Sequence, residues 1–126
     1  MNGSFDPETL RLLDDTKEVK IETRRDADSP EHRRIIWVVV VDGAVFVRSV
    51  RARKGRWFRE IESNPEGALH VGDTRIPVRA TPATDDATVD AVSDALRSKY
   101  EETSPASTAG MVRPEVLPTT LKLSPA

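Results

Sequence analysis

The sequence predicts a mainly β fold: six short antiparallel strands forming a closed or nearly closed barrel, with helices packed outside. Three observations carry this. Consecutive hairpins recur along the chain, segments of helical period are few, and the apolar run Ile35 to Val41 reads as a strand covered on both faces. Six strands enclose only a narrow interior that side chains fill, so a ligand belongs outside, often where a second subunit covers it. At 126 residues the chain reads as one domain, 1–126.

The elements follow in order. A helix opens the chain within residues 1–17: Ser4 or Asp6 can cap it, Pro7 suits its first turn, and Leu10, Leu12 and Leu13 give it an apolar face. Val19, Ile21 and Thr23 alternate with charged residues, the period of a half-buried strand. Arg25 to Arg33 is a polar loop. Asp42-Gly43 then turns the long apolar strand into "AVFVRSV", with Val45, Val47 and Ser49 on one face and Phe46, Arg48 and Val50 on the other. "RARKG" is a loop, and a short helix runs from about Arg56 to Ser63 until "NPEG" stops it. A second hairpin turns at Gly72-Asp73, its Pro77 marking an edge or bulge. Val89, Val92, Leu96 and Tyr100 form one helical stripe. The Ser/Thr/Ala/Gly-rich stretch Thr103 to Gly110 reads as part of a flexible connection over 103–114. Leu117, Thr119, Leu121 and Leu123 alternate as a closing strand.

Composition excludes several functions. The chain has no cysteine, which removes disulfides, thiol nucleophiles and thiolate metal sites. Its two histidines, His32 and His70, lack ligand-like spacing, so no metal site is expected. Net charge is -2, leaving no general attraction for nucleic acid or anionic membrane. The longest apolar run is far too short to span a bilayer, and with no signal-like core the expected location is cytoplasmic. Paired carboxylates, a Ser-His-Asp set and a GxGxxG loop are all missing, so no catalytic side chain is assigned. Chemistry here would come from a bound cofactor.

One segment contradicts the acidic balance. "VRSVRARKGRWFRE" carries Arg48, Arg51, Arg53, Lys54, Arg56 and Arg59 around Gly55. Cations at a helix start oppose the macrodipole. They make sense if an anion sits there, held by helix amides, by a glycine permitting close approach and by the basic side chains. The alternatives are solvated arginines paired with distant acids, or single-stranded nucleic acid at one basic patch. Trp57, with Ile61 four residues on, and Trp37 within the apolar strand read as core; His70 reads as a hydrogen-bonded structural residue.

The order of these motifs resembles the flavin-binding split-barrel superfamily. "VFVRS", the basic loop, the Trp57-Phe58 pair opening a helix, Asn64-Pro65 and "RIPVRA" are similar to deazaflavin-dependent nitroreductase-like proteins and, more distantly, to pyridoxamine-phosphate oxidases. The pattern resembles still more a small bacterial family of unknown function that shares "TTLKL" near its end. The resemblance implies a six-stranded split β-barrel, a homodimer with the site at its interface, and an oxidoreductase-type protein binding FMN or deazaflavin. It assigns the cofactor phosphate to Arg48, Ser49, Val50, Arg51, Lys54, Gly55 and Arg56, with Trp57 bracing the loop. In the alternative, the same patch takes an anionic metabolite or a macromolecular partner without a cofactor. The loop before the central hairpin departs from the deazaflavin branch. Asp26, Asp28 and Glu31 stand among its basic residues, unfavourable near a phosphate unless they point away.

Overall fold

A computed structural model describes residues 4–126. Helix α1 (Pro7–Asp15) is capped by Asp6, whose carboxylate accepts from the Thr9 amide at 2.7 Å. The strands are β1 (Val19–Thr23), β2 (His32–Ile36), β3 (Val39–Val41), β4 (Ala44–Val47), β5 (Glu66–Val71), β6 (Thr74–Pro82) and β7 (Leu121–Pro125). Between them lie α2 (Arg56–Ser63), α3 (Asp86–Tyr100) and α4 (Pro105–Met111).

All seven strands form one antiparallel sheet in the order β2-β1-β5-β6-β7-β4-β3. The six expected strands become seven because Ile35 to Val41 is two strands. It breaks at Trp37-Val38, and its halves lie on opposite edges of the sheet. The three Cα–Cα steps from Ile36 to Val39 reach at most ~11 Å, so the two edges must come together. The sheet therefore curls into a half-barrel whose split lies at Trp37-Val38.

Side chains divide at every strand by the two-residue period. Val38, Val45, Val47, Ile21, Leu69 and Val78 fill the interior with Phe58 and Ile61 of α2. Val39 and Phe46 point outward and are covered by Val92, Leu96 and Tyr100 of α3 and by Met111. The expected α3 stripe is thus buried. At Asp42 and Gly43, φ is 50° and 79°, the left-handed pair a tight hairpin requires.

Two terminal expectations change. Residues 105–111 are helical: Pro105 takes the first turn, Thr108 and Met111 are buried, and packing on α3 overrides a loop-like composition. The closing strand starts at Leu121, since Leu117–Thr119 forms a 3-10 turn. Among the described residues no helix is long and apolar enough to cross a membrane.

Candidate functional site

The segment after β4 leaves the sheet at the split and walls a cleft of about 480 Å3. Arg48, Ser49, Val50, Arg51, Gly55, Arg56 and Trp57 line it, so the fold gathers seven of the eight residues expected there. Lys54 is the exception, an exposed residue on the 3-10 turn Ala52–Lys54. The opposite wall is β2 with the chain preceding β1, which brings Arg33, Arg34, Lys17 and a single acid, Glu18.

Two expected ligand contacts are already committed to the protein. Arg48 follows Phe46 onto the outer face of β4 and is only 2% exposed. Its Nε donates to Thr120 Oγ1 at 2.8 Å, Nη1 to Ser93 Oγ at 2.9 Å and Met111 O at 3.2 Å, and Nη2 to Val89 O at 2.8 Å. No carboxylate is among these partners. Burial, with Arg97 repelling it, brings its pKa down to about 10. Arg48 thus clamps α3, α4 and the 3-10 turn to the barrel. The Ser49 amide donates to Thr119 Oγ1 at 3.0 Å, which takes it away from a ligand.

The loop itself is tightly built. Ser49 Oγ donates to Ala52 O at 2.8 Å, and the Ala52 amide returns to Ser49 O at 2.9 Å. A Cβ on Gly55 would lie 2.5 Å from Ser49 Oγ, so any other residue at the start of α2 must displace that hydroxyl. No side chain caps that helix, leaving its first amides to water or a ligand. Arg113 Nη2 holds the Val50 carbonyl at 2.8 Å. Trp57 is buried in the core edge-on to Phe58, with ring centroids 6.1 Å apart, and also lines the cleft.

Sequence reasoning missed a second group. Glu60 is buried on α2, accepting from Thr23 Oγ1 at 2.7 Å and bonding His32 Nδ1 at 3.0 Å through Oε2. Arg56 Nε lies 3.7 Å from the same oxygen. His32 lines the cleft. The i,i+4 spacing of Arg56 and Glu60 was the available signal; His32 comes from a remote strand and gave none. None of the three acids of the preceding loop lines the cleft. Asp26 caps its own turn through Asp28 and Ser29, and Glu31 pairs with Arg24 and Arg33.

Apolar surface completes the cleft. Ile35, at 56% exposed, and Val50, at 51%, are among the few large hydrophobic side chains left open to solvent. Trp37 sits at the strand break rather than inside a strand, stacked on Tyr100 with centroids 3.9 Å apart, and also lines the cleft. His70 is, as expected, a structural residue: its Nε2 bonds Glu22 at 2.7 Å, away from this site. Among the described residues no cluster of ligand-type side chains could hold a metal ion.

A family model described as "Uncharacterized protein conserved in bacteria (DUF2255)" matches residues 9–123. The chain belongs to that family. Among curated proteins none matches the sequence. Solved structures similar to this DUF2255 member include HutZ, a heme storage protein of Vibrio cholerae, at 15% identity and a TM-score of 0.63, covering 98% of this chain and 91% of that one. Another is a putative pyridoxamine 5'-phosphate oxidase from Listeria innocua, at 12% identity and a TM-score of 0.60, covering 94% and 90%. A third is an F420-H2 dependent reductase, at 12% identity and a TM-score of 0.60, covering 85% and 92%. At these identities the likeness is one of fold, a split barrel.

Proposed function

We propose that this protein is an oxidoreductase-type member of the superfamily, binding the phosphate of FMN or a deazaflavin in the cleft beside residues 48–57. The observation that carries the reading is the cleft's two-sided chemistry. Arg34, Arg51, Arg56 and Arg33, the last paired with Glu31, line a hollow that also exposes the apolar Ile35, Trp37, Val50 and Trp57. Arginines and uncapped helix amides suit a phosphate, and the apolar wall suits a flat heterocycle. The residues present therefore fit such a group, with Arg51, Arg56 and the α2 amides holding the phosphate and Arg48 and Trp57 keeping the loop in place. When bound, a flavin or deazaflavin supplies hydride transfer, and the protein supplies position and exclusion of water. The fold neighbours that are an F420-H2 dependent reductase and a putative pyridoxamine 5'-phosphate oxidase support this choice of ligand class.

The exposed Ile35 and Val50 favour a second copy covering the cleft as a homodimer. Light scattering of the purified protein checks this: the expected mass is twice the 14.0 kDa of the chain. The cofactor reading is tested by the visible spectrum of the purified protein, and by thermal shift with FMN, deazaflavin and haemin. A flavin-type spectrum, or stabilisation by FMN or deazaflavin, supports it. A colourless protein indifferent to both removes it, and stabilisation by haemin alone assigns the cleft to a different anionic cofactor.

A further inference from the structure

We propose that the cleft's anion site is proton-linked through His32, with Glu60 as the positioning residue that aims His32 and Arg56 at one anionic group. The inference rests on reading the cleft as an anion site and adds two residues from outside the basic loop. Glu60 is buried and joins three elements: Thr23 of β1, His32 of β2 and Arg56 of its own helix. A carboxylate only accepts, so the hydrogen on His32 Nδ1 points at Glu60. The ring's other nitrogen, Nε2, has no partner among the described residues, and the side chain is 34% exposed on the cleft wall.

This geometry makes the ring a conditional anion ligand. A neutral ring with its hydrogen on Nδ1 presents a lone pair at Nε2, which an oxyanion avoids. A protonated ring presents an N–H donor there while keeping its bond to Glu60. Binding an anion is therefore coupled to uptake of a proton. The charged groups nearest the ring are Glu60 and Arg56 of α2; Lys17, Glu18, Arg33 and Arg34 share its wall of the cleft, Arg51 lines the other wall, and Glu31, beside it in sequence, pairs with Arg24 and Arg33. The Arg48 guanidinium is turned to α3, and Glu22, next to Thr23 on β1, is engaged with His70 and Arg75. Carboxylates, lysines and arginines ordinarily keep one charge between pH 5.5 and 8.5, roughly the interval in which imidazole changes its own. The chain's other histidine, His70, is bonded to Glu22 away from the cleft.

Sulfate is the probe, because its charge is constant across that interval, whereas phosphate's second ionisation is not. Its affinity is measured by NMR titration at constant ionic strength at several pH values, following the backbone amide signals of residues 49–57 in the native chain, His32→Asn and Glu60→Gln, and the His32 ring protons where the ring is present. The native chain is expected to lose up to about tenfold in affinity per pH unit as pH rises across that interval, the limit that one linked proton sets. His32→Asn is expected to bind weakly and without pH dependence. Glu60→Gln is expected to weaken sulfate binding at low pH and to flatten its pH profile, because the ring is no longer held by a carboxylate with Nε2 turned to the cleft. A merely structural role for Glu60 predicts an unchanged pH profile. Equal pH profiles in the native chain and His32→Asn overturn the inference, as do His32 ring signals indifferent to sulfate. Proton-linked sulfate binding without FMN or deazaflavin binding sustains this inference and removes the cofactor reading. Cofactor binding with no proton linkage does the reverse.

Discussion

Replacing Arg48 by alanine separates a clamp from a phosphate ligand. Its guanidinium donates four hydrogen bonds to neutral acceptors and has no counter-charge. Keeping that charge buried holds its pKa at about 10, some 2.5 pH units below arginine's ordinary value, a cost of roughly 3 kcal/mol. Hydrogen bonds to charged groups contribute about 1.5–3 kcal/mol each, so the four together outweigh it. Truncation also takes the donor from the Met111 carbonyl and removes a buried stem. The expected loss for Arg48→Ala is therefore at least ~3 kcal/mol. Lysine keeps the charge but cannot reach four acceptors, so Arg48→Lys should lose ~2 kcal/mol. Urea unfolding at pH 7 gives both values. A loss below ~1 kcal/mol for Arg48→Ala, with ligand binding abolished, would refute the clamp and return Arg48 to the phosphate.

Other substitutions test the remaining parts. Arg51→Ala and Arg56→Ala remove exposed side chains, so stability should stay within about 0.5 kcal/mol while FMN affinity falls roughly tenfold for each; calorimetry and urea melts read the two effects apart. Gly55→Ala should cost ~1–2 kcal/mol by breaking the Ser49–Ala52 bond, and far less in a Ser49→Ala background, where the opposing Oγ is gone; a double-mutant cycle measures that coupling. Arg75, then His70, hold the Glu22 pKa down to about 2 against burial. A depressed carboxylate stabilises the fold above its unfolded pKa of ~4.5, and that stability disappears as pH falls from there toward 2. Because Arg75 is half-exposed the contribution is at most ~2 kcal/mol, and Glu22→Gln should flatten the acid limb of a urea-midpoint profile over that interval.

Much of the fold was legible because local chemistry and tertiary placement agree. Asp42-Gly43 and Gly72-Asp73 mark hairpins, and the α2 and α3 spans carry both period and stop signals. The break at Trp37-Val38 was not legible. A β-branched run apolar on every side has no periodicity to lose where the chain jumps from one sheet edge to the other. Helix α4 escaped for the opposite reason, since its small residues show no stripe and only Thr108 and Met111 anchor it. In the site, the basic loop stood out by charge density. Charge density cannot distinguish Arg48, placed under α3 by strand alternation, from Arg51 and Arg56, which reach solvent. His32, Arg33 and Arg34 lie across the cleft because β2 is a sheet edge at the split, a fact of topology that their own polar loop-like context does not encode.

The central claim is that the cleft beside residues 48–57 recognises a phosphate attached to a flat heterocycle. Calorimetric titration of the purified chain with FMN and with riboflavin tests it most directly, since the two share the ring and differ in the phosphate. FMN is expected to bind at least tenfold tighter, with the difference lost in the Arg51→Ala, Arg56→Ala double variant. Equal affinities for FMN and riboflavin, or an FMN preference untouched by that double variant, would contradict it.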